Sequence, residues 1–128
     1  MSYYFSKKLK GTFEDAEEKV RGVLKEEGFG VLTEIDVKKT LKKKMDVRFR
    51  KYKILGACNP PFAYKALQAE DKIGTMLPCN VIVQETEEEE VEVAAIDPVA
   101  SMQAIENAAL EPVAVEVQNK LKKVIERV

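Results

Sequence analysis

Two Cys-Asn pairs stand out in a chain with no histidine and no tryptophan: "GACNPP" at residues 56–61 and "MLPCNVIV" at 76–83 hold both of its cysteines. A cysteine sulfur attacks, or binds a metal, only as the thiolate, so what matters is where the backbone puts each one. Cys58 stands where an apolar run gives way to Asn-Pro-Pro, the predicted junction of a strand and a helix. The positive end of a helix dipole would favour a thiolate there. Pro60 and Pro61 work against this, because each removes a backbone N–H that would otherwise hold an anion at the helix start. Burial is the competing reading, since a free thiol usually packs as a small apolar group. Cys79, between Pro78 and Asn80 at a strand start, reads more simply as packing. Asn59 and Asn80 suit a helix cap and a strand-end hydrogen bonder as well as they suit a ligand contact.

Two thiols without histidine are too few for a four-ligand structural zinc site in one chain. Asp97 could add an oxygen ligand, or a symmetric dimer could double the thiols, but nothing has metal-finger spacing. No metal or other cofactor is expected. The chain also lacks a Walker loop, a dinucleotide fingerprint, a nucleophile elbow and a Ser/His/Asp set.

The elements that position these residues follow from periodicity. Residues 3–9 alternate, with Tyr3, Phe5 and Leu9 on one side, as a half-buried strand does. Thr12, with Asp15 three residues on, opens a helix whose stripe is Phe13, Ala16, Val20, Val23 and Leu24, closed by Gly28. Val31, Thr33 and Ile35 make a second strand. Asp36 caps a short helix with Val37, Leu41 and Met45 expected inward and the lysines at 38, 39, 42, 43 and 44 outward. The third strand ends at Cys58, with Leu55 and Ala57 on one face. Asn59 is the expected cap and Pro60 the first residue of a helix reaching about Glu70. Met76–Glu85 is the fourth strand, with Leu77, Cys79, Val81 and Val83 on one face. The acidic run then forms a hairpin tip before Val91, Val93 and Ala95 of the fifth. Asp97-Pro98 opens a helix with Val99, Met102 and Ile105 inward. Pro112 interrupts, and Ala114, Val117, Leu121, Val124 and Val128 stripe the last helix.

At 128 residues, 45% hydrophobic and 34% charged, the chain fits one globular domain with a core of its own. The start "MSYYFSKKLK" has no signal-peptide core, and no apolar stretch approaches the ~20 residues of a membrane span, so a cytoplasmic protein with reduced thiols is expected. Seventeen Glu and 17 Lys against four Asn and four Gln lean toward the composition of heat-loving organisms. A net charge of −1 conceals nine positive charges in residues 38–53 and six negative in 85–92. With a pI near 5.7, the basic stretch reads as a solvated helix face, and no nucleic-acid partner is expected.

Taken in order, "YKILGACNPPFAYKAL", "GTMLPCNVIV" and "VAAIDPVASM" resemble the family known as domain of unknown function 302. The likeness spans nearly the whole chain; Gly56, Cys58, Asn59 and Pro60, then Leu77 to Asn80, then Asp97, Pro98 and Met102 are its marks. It implies an α+β domain with a curved, mainly antiparallel sheet of about five strands backed by helices. It also implies a TATA-binding-protein-like arrangement and a dimer. The resemblance implies no activity, and a fold shared by unrelated proteins does not imply DNA binding.

Three functions are compatible with these residues. One is a ligand- or partner-binding homodimer with a site near Cys58, Asn59, Cys79, Asn80 and Asp97. A second is a thiol-dependent redox enzyme, with Cys58 attacking and Cys79 resolving. The third is a structural or regulatory subunit in which these residues only pack. A geometric expectation bears on the first two. In an antiparallel pair the end of the third strand lies beside the start of the fourth, which would bring both Cys-Asn pairs to one edge.

Overall fold

The computed structural model describes residues 2–128. Its first half runs β1 (Tyr4–Lys10), α1 (Phe13–Glu26), β2 (Gly30–Asp36), α2 (Val37–Met45) and β3 (Tyr52–Cys58). Then come α3 (Pro60–Ala69), a 3-10 helix (Asp71–Met76), β4 (Cys79–Glu87), β5 (Glu90–Ile96), the single turn α4 (Pro98–Ser101) and α5 (Leu110–Arg127). The strands form one sheet in the order β1-β5-β4-β3-β2, with every neighbour antiparallel. This is the expected α+β architecture: an antiparallel sheet backed by helices.

The period of two in β3, β4 and β5 decides which face is covered. Leu55 lies opposite Val81, Val81 opposite Ala95, and Val83 opposite Val93, so one face is a continuous apolar surface. The stripe of α1 and residues Val117, Leu121, Val124 and Ile125 of α5 bury against it. Leu24, Leu55, Val81 and Leu121 are fully occluded, each contributing about 1.5–3 kcal/mol of burial. Helix α1 starts where the Thr12 hydroxyl accepts the Asp15 N–H at 3.1 Å. Beyond its end Gly28 takes φ +87°, a left-handed conformation that favours glycine. A second, smaller cluster joins Ala66 of α3, Ile73 of the 3-10 helix and Leu110 of α5, with Leu77, Met102 and Ile105 against it. It covers the end of the sheet where β3 stops and β4 starts.

Several expectations need correction. Met45 does not turn inward; it is 65% exposed, while Val37 and Leu41 are half-buried. Helix α2 leans on β2 and β3, buries none of its residues fully, and ends at Asp46 in a left-handed cap. The Asp97-Pro98 helix is a single turn, and Met102 and Ile105 reach the second cluster from the loop that follows. Pro112 does not interrupt a helix; it lies in the first turn of α5, where a missing N–H breaks no intrahelical bond. The acidic run does hold the hairpin tip, at residues 88–89, but the rest of it is strand, with β4 reaching Glu87 and β5 starting at Glu90. Tyr3 precedes β1 and is exposed, whereas Phe5 and Leu9 pack against the core as expected.

Candidate functional site

Strands β3 and β4 run antiparallel, with Ala57 opposite Cys79 and Gly56 opposite Asn80, so the end of one meets the start of the other. Cys58 is the last residue of β3 and pairs with Gly30 of β2. The close approach of these strands depends on Gly56. A Cβ there would lie 2.0 Å from Thr33 Oγ1 and 2.7 Å from Pro78 Cγ, inside any allowed contact. Pro78 follows a cis peptide bond from Leu77.

Above this strand junction lies a cavity of about 290 Å³. Ala57, Cys58, Cys79 and Pro78 form its floor, Phe62, Ala63, Ala66 and Leu67 of α3 one wall, and Leu110, Val113, Ala114 and Val117 of α5 another. No Asp, Glu, Lys or Arg lines it. Its rim is apolar too, since Leu32 is 68% and Leu67 45% exposed. Leu32 reaches the rim because the register of β2 slips between Val31 and Thr33, which makes it the extra residue of a bulge.

Asn59 is the polar side chain of this wall. It occupies the N-cap position of α3 with extended backbone, yet its side chain makes no capping bond, contrary to expectation. Pro61, the second helical residue, has no N–H to give, which removes one of the two usual partners. Asp97 shows the contrast. It also precedes a proline, but its carboxylate accepts the Val99 N–H at 3.0 Å and the Ala100 N–H at 3.4 Å, and the Gln118 amide adds two further bonds. The Asn59 amide lies against Gly28, where an added Cβ would sit 3.1 Å from Nδ2. Asn59 is only 8% exposed, and among the described residues its amide has no hydrogen-bond partner. Among the described residues no fully occluded side-chain polar atom is orphaned, so the amide keeps a small access to solvent, and Asn59 is one of the residues that line the cavity.

The two thiols are free. Burial, and then the neighbouring Cys58 charge, push the Cys79 thiol up to about 11, so it stays protonated at neutral pH. A resolving cysteine must attack as thiolate, and Cys79 is poorly suited to that.

Of the five candidate residues, the structure brings Cys58, Asn59 and Cys79 together. Asn80 points to the opposite, open face, in a shallow hollow with Tyr4, Tyr52 and Ile82. Asp97 is spent on its cap and on Gln118, outside the cavity lining. Sequence reasoning missed Leu32, Phe62, Leu67 and the α5 wall. Their apolar spacing shows that they are covered, but not that the covering leaves a void. Among the described residues no cluster of three or more His, Cys, Asp or Glu could hold a metal ion, and no helix is long and apolar enough to cross a membrane.

No curated protein matches the chain. A crystal structure of an uncharacterized conserved protein, DUF302, from Bacillus stearothermophilus is similar throughout, with a TM-score of 0.90 and 25% identity over 99% of this chain and 98% of that one. The family described as Domain of unknown function DUF302 matches residues 5–128, and with that match over a five-stranded fold the chain belongs to this family.

Proposed function

We propose that this chain is a small-molecule-binding domain, acting in the cytoplasm as a homodimer, whose ligand enters the cavity beside Cys58, Asn59 and Cys79. The observation that carries the reading is the Asn59 amide. Buried polar groups are nearly always hydrogen-bonded, and an unpaired one costs about 1–3 kcal/mol. Here Asn59, whose side chain makes no capping bond, lines a preformed apolar cavity, so a ligand that closed off the amide's slight access to water would incur that cost unless it supplied the bond, the usual setting in which one polar group orients a bound molecule. The raised Cys79 thiol speaks against thiol-disulfide chemistry at the same place. Neither nucleic acid nor membrane enters this reading, since the α2 lysines form a solvated face away from the cavity.

Protein-observed NMR against a library of small fragments tests it. Binders should perturb the amides of Cys58, Asn59, Phe62 and Ala114 together. Hits confined to the open sheet face, or none at all, would leave the chain a structural or regulatory subunit.

A further inference from the structure

The same cavity defines the chemistry of what it holds; this step rests on the ligand-binding reading above. We infer that the ligand is an uncharged, mainly hydrocarbon molecule of roughly ten to twelve non-hydrogen atoms carrying one hydrogen-bonding group, which the Asn59 amide receives. Size comes from the volume. About 290 Å³ is close to twice the ~150 Å³ of an apolar cavity that admits benzene. Polarity comes from the walls, where hydrocarbon surrounds Asn59 and the two thiols.

Charge is excluded by the same walls. A carboxylate or ammonium inside would lose its hydration with no opposite charge to meet, at a cost of several kcal/mol. Lys65 and Lys120 stand over the ring of Phe62, a residue of the cavity wall. They lie 5.5 and 5.9 Å from the Phe62 ring centre and do not line the cavity. Phosphorylated ligands such as nucleotides are excluded on the same ground. One polar group is favoured over none because a pure hydrocarbon would shut the amide off from water without pairing it, whereas a hydroxyl or carbonyl takes the water's place. The amide both donates and accepts, so either kind of group suits it.

Four probes of one shape separate these terms: naphthalene, 2-naphthol, 2-naphthoate and 2-naphthylmethylammonium, titrated calorimetrically at neutral pH. The expected order is 2-naphthol tightest, naphthalene next and the two ions weakest. Asn59→Leu should weaken 2-naphthol roughly five- to tenfold and leave naphthalene unchanged or tighter. Asn59→Ala serves should the leucine variant fail to fold. Ala63→Phe, which fills the cavity from α3, should abolish binding of all four; Leu67→Trp at the rim serves should that variant misfold. If an ion binds tightest and the filled variants abolish it, the ligand class is wrong while the cavity stands as the site. Loss of equal measure for naphthalene and 2-naphthol in Asn59→Leu also overturns the class. Binding that survives both filled variants, or no binding by any probe, overturns the cavity reading itself.

Discussion

At the scale of single residues, two side chains in similar local sequence have opposite fates. Asp97 and Asn59 each precede a proline that opens a helix, yet Asp97 makes both capping bonds and Asn59 makes none. The second proline after Asn59 is the difference that sequence shows, since Val99 offers an N–H where Pro61 has none. Cys79, beside Asn59, allows a test of its burial. Its thiol titrates near 11 in the folded chain against an ordinary 9.0, so the folded state holds its proton more tightly than the unfolded chain does. Below the ordinary value both states are protonated and this term is fully present. As pH rises from 9.0 toward 11, the unfolded chain ionises first and stability falls by up to ~3 kcal/mol. Denaturant midpoints measured across that window should therefore drop more steeply for the wild type than for Cys79→Ala. Parallel profiles would mean that the thiol is not desolvated as described. Native Cys79 should also resist alkylation at neutral pH, with half-buried Cys58 labelled first.

Elements are held to one another by contacts of a different kind. Glu17 of α1 meets Lys53 of β3 at 3.0 Å and Arg21 at 2.9 Å, pinning the helix across the sheet. Burial works to raise the Glu17 carboxyl, but the hydrogen bonds from Lys53 and Arg21 outweigh it and the net shift is downward. A lowered carboxyl stabilises above its ordinary value of 4.5 and loses that contribution as pH falls below it. Glu17→Gln should cost about 1 kcal/mol at neutral pH, and the gap to wild type should close on acidification. A gap that stays constant down the acid limb would show that the pair contributes nothing. Gly56 is the stricter link, because its missing Cβ lets Thr33 of β2 and Pro78 approach from either side. Gly56→Ala should destabilise by roughly 2–3 kcal/mol in urea titration, as overpacking does, and a near-neutral result would contradict the spacing of these strands. These elements also show what sequence could convey. The stripes of α1 and α5 and the alternation of β3 to β5 state directly which face is buried, and the meeting of the two cysteines followed once β3 and β4 were taken as antiparallel, which the family resemblance favoured. Asn80 escaped that logic: it is the neighbour of Cys79, and alternation along a strand sends it to the other face. Leu32 escaped it because a bulge shifts the period by one residue.

For the whole molecule, the open face of the sheet is the surface on which the proposed dimer would form. Helices cover one face; the other carries a row in register across the middle strands, with Ile54 opposite Ile82 and Ile82 opposite Ala94, and with Ile96 beside Tyr4 near one end. Edge pairing is discouraged on both sides. The β1 edge bears Lys8 and Lys10, and the β2 edge is broken by the bulge between Val31 and Thr33. Phe5 packs inward and gives nothing to a contact, whereas Tyr3, Tyr4 and Tyr52 line the open-face hollow. Strand β4 is central in the five-strand order, so a two-fold axis through it sets Ile82 against its own copy. In the proposed dimer Ile54 of one chain would meet Ala94 of the other, a self-complementary arrangement that closes. Sedimentation equilibrium at tens of micromolar should give twice the chain mass for the wild type. Ile82→Lys places two like charges at the axis and should give a monomer with unchanged circular dichroism. A wild-type monomer would end the dimer, and a dimer that survives Ile82→Lys would move the contact to an edge. The cavity opens beside α3 and α5 on the covered side, so ligand affinity should be the same in the Ile82→Lys monomer as in the dimer.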